Sequence, residues 1–247
     1  MLKKELGVLM VLSVVLLSGC GSDKPETVSQ GAGESPSKQV TTQPVQDTDA
    51  KLLGSSEDER VKFYTKTDGV TLDVNGNKKD FSWNVPVDTG TPPQVIYTDV
   101  TGDGKEEAVV IIQTGRGTEL NNYDIHVVSA EDLSEIKVQS YEEIVANQIE
   151  THVAKKGDGT LVISVKAQGK EYDFNYGFDP APDYKQDSLA FGGVNIYSLE
   201  NQKIKLNLGG SVGVSPTYVC DFNITYKFDS TKNEFLADQI EVKPIEK

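Results

Sequence analysis

Residues Val95–Gln113 read VIYTDVTGDGKEEAVVIIQ, and the rest of the chain is interpreted outward from them. Val95–Thr98 and Ala108–Gln113 are strand-like runs rich in β-branched residues. Between them lies a short loop crowded with oxygen-bearing side chains and glycine. Asp99, Thr101, Asp103 and Glu107 fall at loop positions 1, 3, 5 and 9, and Gly104 follows Asp103. Hard cations such as Ca²⁺ need several oxygens at once, and alternate residues of a tight loop can turn theirs inward. Gly104 can supply the positive φ that such a turn requires.

On either side the sequence keeps to period two. Val61–Tyr64 and Val70–Val74 read as strands, Asn75-Gly76-Asn77 as a hairpin turn, and Phe81, Trp83 and Val85 as the returning strand. After the central hairpin, Thr114-Gly115-Arg116-Gly117 reads as a turn, and Tyr123–Val128 and Ile136–Val138 as two more strands. Ser140 with Glu143 resembles a capping box, which opens a short helix over roughly Tyr141–Ile149. Beyond it, Gly157-Asp158-Gly159 joins a hairpin, and Tyr172, Phe174, Tyr176 and Phe178 alternate along a strand. Strands at Val194–Ser198, Ile204–Leu208, Val219–Phe228 and Phe235–Val242 close the chain. The expected fold is mainly β, with antiparallel strands and one short helix. It forms a single domain over residues 57–247, sandwich-like or partially propeller-like.

At the N-terminus Lys3 and Lys4 precede an apolar run, Leu6–Leu17, too short to span roughly 30 Å of hydrocarbon as a helix. Leu17-Ser18-Gly19-Cys20 resembles the lipobox of bacterial lipoprotein signal peptides. That resemblance implies a signal peptide over 1–19, acylation of Cys20, and attachment to the outer face of a Gram-positive-type cell membrane. Each buried CH₂ of the acyl chains would contribute about 0.8 kcal/mol to anchoring. Residues 20–56 hold almost no large apolar side chains before Leu52 and read as a disordered tether.

About 190 residues then remain, enough for one domain with a real core. The formal charge of −14 argues against nucleic acid and against adsorption to anionic lipid, since both would repel it. With Cys20 lipidated, Cys220 has no disulfide partner in the chain. Alternation places Cys220 on one face with Phe222, Ile224, Tyr226 and Phe228, as a small buried hydrophobe.

Asp99-Val-Thr-Gly-Asp-Gly-Lys-Glu-Glu107 followed by an apolar strand resembles the calcium loops of FG-GAP and VCBS-type repeats. The segment Val95–Val138, about one-fifth of the chain, is similar to one blade of such a protein. The resemblance implies a structural Ca²⁺ held by the side chains of Asp99, Thr101, Asp103 and Glu107 and by the carbonyl of Lys105. Thr101 and Glu107 stand where the family usually has Asn or Asp, and Asp. Val110 at position 12 excludes an EF-hand proper. The alternative for the same residues is a turn whose carboxylates cap its own amides.

No catalytic signature accompanies this loop. His126 shares a strand face with Asp124, but no serine in a Gly-x-Ser-x-Gly setting joins them. No zinc spacing and no phosphate-binding glycine loop occur. Asp179, Asp183 and Asp187 flank a loop beside the aromatic row Tyr172–Phe178, a pairing that sugar binding or glycosidic chemistry could use. The expected function is a membrane-anchored, non-enzymatic binding or scaffolding module with a cell-wall or envelope protein partner. Two competing classes are an envelope enzyme or carbohydrate binder built on Asp179–Asp187, and a regulatory envelope or sporulation lipoprotein.

Overall fold

The computed structural model describes residues 50–86, 89–178 and 184–246. The signal peptide, Cys20, most of the tether, and Asp179 and Asp183 therefore lie outside the described residues. The fold is mainly β, as expected: the described residues form three sheets and one short helix.

Strands β1 (Lys51–Ser55), β2 (Val61–Lys66), β3 (Gly69–Val74) and β4 (Asn77–Phe81) form an antiparallel sheet in sequence order. Asn75 and Gly76 take φ of 53° and 86°, the double left-handed turn that matches strand twist. Two expectations are corrected here. Lys51–Ser55, expected in the tether, is an edge strand paired with β2. The strand after the turn ends at Phe81, so Trp83 and Val85 lie beyond it.

The central sequence forms an antiparallel meander: β5 (Gln94–Thr98), β6 (Glu107–Gly117), β7 (Leu120–Ser129) and β8 (Glu135–Val138). The expected turn at Thr114–Gly117 is instead the bulged continuation of β6. β6 is buried from Glu107 to Gln113 because both of its faces are covered. Ala108, Val110 and Ile112 pack with Phe63, Leu72 and Trp83 of the β1–β4 layer. Val109 and Ile111 point the other way, into a larger core with Leu206, Phe222 and Ile224. A continuous apolar run is what a two-sided burial requires.

Helix α1 (Tyr141–Gln148) follows, with the Ser140 hydroxyl accepting from the Glu143 amide at 3.2 Å. β9 (Ile149–Lys155), β10 (Thr160–Ala167) and β11 (Lys170–Gly177) make a three-stranded sheet. The last four strands are β12 (Val194–Glu200), β13 (Lys203–Val212), β14 (Thr217–Asp229) and β15 (Glu234–Pro244). They extend the β5–β8 sheet through β15, which runs parallel to β8. β12 then returns to pair in parallel with β7 at Asn121 and Asn122, so six strands close into a ring. Side chains reinforce the closure: Asn195 Nδ2 donates to the Tyr123 carbonyl at 3.3 Å, and Asn122 Nδ2 to the Gly192 carbonyl at 2.9 Å. The β9–β11 sheet lies against β15 through Gln168, whose Oε1 accepts from Ile240 N at 3.0 Å. Its apolar face joins the ring core.

Candidate functional site

The Asp99–Glu107 loop folds over one end of the ring. Asp99 Oδ1 accepts from Gly102 N at 2.6 Å, and Oδ2 from Gly104 N at 2.9 Å. Gly104 has φ of 88°, as expected for that turn. Asp103 Oδ1 accepts from Lys105 N at 2.8 Å. Glu107 is buried, and its Oε2 accepts from Val100 N at 3.0 Å and Thr101 N at 3.3 Å. Held this way, the loop drives the Val100 side chain into the ring core. The loop is thus a plug, and Glu107 is its latch.

The electrostatics follow from these bonds. The Gly102 amide, followed by other amides of the loop, holds Asp99 below the usual carboxylate range. Burial pushes Glu107 up, and Asp103 and Asp99 add to the push, while the two amides oppose it. Glu107 therefore senses both aspartates. Yet among the described residues no three acidic, histidine or cysteine side chains gather as a metal ion would require. In this conformation the oxygens of Asp99, Asp103 and Glu107 are engaged with backbone amides of the loop itself.

Beside the plug the ring end opens into a cavity of about 470 Å³. Asp99 and Thr101 form one wall, and Gln202, Lys203, Lys227 and Asp238 provide hydrogen-bonding groups. Phe228 and the buried Phe235, whose ring centroids are 5.2 Å apart, supply an apolar floor. A concavity of this size with a few convergent polar groups is a candidate ligand site. Sequence spacing could not show it, because its walls come from the β5–β6 loop, the β12–β13 turn and the ends of β14 and β15.

No family model matches the chain, and neither a curated protein nor a solved structure is significantly similar to it.

Other residues with reactive or polar side chains lie away from this cavity. His126 turns not to Asp124 but to Glu135, with Nδ1 2.8 Å from Oε1. Its ring stacks on Trp83 at 3.9 Å, and Trp83 Nε1 donates to Glu135 Oε2 at 3.4 Å. This three-residue array was invisible in the sequence, since Trp83 comes from the segment after β4. His152, Ser164 and Asp173 are neighbours across β9, β10 and β11. Ser164 stands in the middle and donates to Asp173 Oδ1 at 2.6 Å, so its proton faces a carboxylate and not the imidazole. That order is not the one a nucleophilic triad uses. Tyr176 is buried, and Tyr172, Phe174 and Phe178 pack against the same core. Asp187 is exposed, and its carbonyl accepts from Val153 N at 2.7 Å. Cys220 is fully buried, and burial pushes its thiol up to about 12, as befits a packed hydrophobe and not a nucleophile.

Proposed function

We propose that the protein is a lipid-anchored, extracytoplasmic binding module. Its ligand site is the cavity beside the Asp99–Gly102 plug. The observation that carries this reading is the cavity itself: about 470 Å³ at one end of a ring held by bonds that the loop makes to its own backbone. The anchor is supported by the lipobox-like Leu17–Cys20 and the polar stretch that follows it. Lys203 and Lys227 would meet hydrogen-bond acceptors of a wall polymer, Asp99 and Asp238 its hydroxyl or amine donors, and Phe228 its apolar faces. The aromatic row beside Asp187 packs against the main core, with Tyr176 buried and Tyr172, Phe174 and Phe178 partly buried, which favours the binding reading over a sugar-cleaving site there.

Two measurements test this. Cys20→Ser should move the protein from the membrane fraction to the soluble fraction, and unchanged fractionation overturns the anchor. The full chain should co-sediment with purified, insoluble cell-wall polymer, and Lys203→Glu with Lys227→Glu should reduce the bound fraction severalfold. Equal retention of the double variant overturns the cavity as the site. Calcium enters this reading only as a structural ligand of a rearranged loop, in which Asp99, Thr101, Asp103, the Lys105 carbonyl and Glu107 turn toward one ion. A melting midpoint that rises with millimolar Ca²⁺, and no longer rises in Asp103→Ala, supports it. A stationary midpoint removes calcium and leaves the loop a plug.

A further inference from the structure

Three large apolar side chains stand exposed among the described residues: Leu52 at 50 %, Leu120 at 39 % and Val214 at 106 % relative exposure. Single exposed apolar residues are ordinary. These three share one end of the molecule. Leu120 opens β7 at the β6–β7 tip, and Val214 tops the turn between β13 and β14. The two tips are tied together. The Tyr218 hydroxyl donates to the Glu119 carbonyl at 2.6 Å, and the Ser215 hydroxyl donates to Glu119 Oε2 at 3.3 Å. Leu52 reaches the same end from the β1–β4 layer, in a groove it shares with Gly90 and Pro92. A Cβ on Gly90 would lie 3.7 Å from Arg116 Nη1, and Arg116 leads directly into the β6–β7 tip. The plug, the cavity and the β12–β13 and β14–β15 turns all lie at the opposite end of the same strands.

The apolar end is also where the chain enters the domain, since β1 starts at Lys51. Cys20 precedes Ala50 by thirty residues of polar composition, rich in Ser, Thr, Gln, Gly and Pro. A random-coil linker of that length has a root-mean-square span of roughly 30 Å. A lipid on Cys20 would therefore hold this end beside a bilayer at an effective concentration on the order of millimolar. A small apolar contribution is then sufficient for contact. The chain's formal charge of −14 leaves apolar insertion, not attraction to anionic headgroups, as the means.

We propose that this end rests on the bilayer that carries the lipid of Cys20, with Leu52, Leu120 and Val214 dipping into the boundary between headgroups and acyl chains. The proposal rests on the lipid-anchor reading. It also sets the cavity facing away from the membrane.

The test uses the full lipidated chain reconstituted into vesicles of phosphatidylethanolamine and phosphatidylglycerol. An environment-sensitive dye is placed at Ser215→Cys, beside Val214, or at Lys232→Cys on the opposite end. Cys220, at 0 % exposure, does not compete for the label in the folded protein. The dye at position 215 should blue-shift and be severalfold less accessible to an aqueous quencher than the dye at 232, at low and at high salt. Adding Leu52→Asp and Leu120→Asp should erase the difference while the protein still floats with the vesicles. If both dyes are equally quenched in floating protein, the docking proposal falls and the anchor stands. If both dyes are equally shielded, end-on docking is wrong. If the wild-type chain does not float at all, the anchor reading falls and the docking proposal with it.

Discussion

Glu107 is the one charged side chain that is buried among the described residues, and it shows what the loop needs. Its oxygen satisfies the amides of Val100 and Thr101, which would otherwise lose water without a partner. Its negative charge, in contrast, is opposed by burial and by Asp103 and Asp99. An amide oxygen could accept the same two hydrogen bonds without that opposition. Glu107→Gln should therefore keep or raise the urea midpoint at neutral pH, whereas Glu107→Ala should cost about 1–3 kcal/mol. The pH dependence has a definite sign. A carboxyl raised in the folded state contributes fully below its ordinary value of 4.5, and the contribution is lost as pH rises through the raised value. The Gln variant should lack that loss. Were Gln as damaging as Ala at neutral pH, the loop would need a charge at this position, and a bound cation would be the natural reason. The sequence placed Glu107 correctly in a special loop but not its partners. Spacing shows which oxygens share a turn, not whether they face an ion or the backbone.

At the level of elements, the β1–β4 layer is joined to the central sheet through a column of rings. Phe81 stacks on Trp83 at 4.3 Å, Trp83 on His126 at 3.9 Å, and Glu135 bonds to both Trp83 and His126. His126, then Trp83 and Lys79, hold Glu135 below the ordinary glutamate value, against the pull of burial. The stability this carboxylate contributes is present above 4.5 and lost as pH falls through its depressed folded value. Trp83 is the only tryptophan, so its emission reports the junction directly. In the wild type a red shift should begin as acid passes that value. His126→Ala should bring the shift on earlier and cost about 0.5–1.5 kcal/mol beyond lost area, the usual worth of a stacked pair. Glu135→Gln should flatten the emission profile in that window. Identical acid profiles for wild type and Glu135→Gln would show that the column does not couple the layers. Most strands themselves were legible, because a half-buried strand writes period two into its residues and β6 writes an unbroken apolar run. β1 was not, since KLLGS is an edge strand with little buried surface, and its pairing with β2 leaves no pattern.

For the whole molecule, what the sequence could not disclose is closure. The pairing of Asn121 and Asn122 with Val194 and Asn195 links strands some seventy residues apart, and the parallel contact of β8 with β15 spans nearly a hundred. No local turn signal announces either. Closure nevertheless gives the molecule its polarity. The β6–β7 and β13–β14 tips and the chain entry define one end, and the plug, Lys203 and Lys227 define the other. Lys51 and Lys185 are exposed near the first end, and Lys203 and Lys227 are exposed at the second. If the proposed lipid anchor and end-on docking hold, a water-soluble amine reagent should see two populations of lysine in the vesicle-bound chain. Lys51 and Lys185 should label severalfold more slowly on vesicles than in detergent, and Lys203 and Lys227 at the same rate in both. Mass spectrometry of the labelled peptides reads all four sites in one sample without any substitution. Slowing of Lys203 and Lys227 instead would turn the molecule over, and would place the cavity against the bilayer with the tether doubling back along the ring.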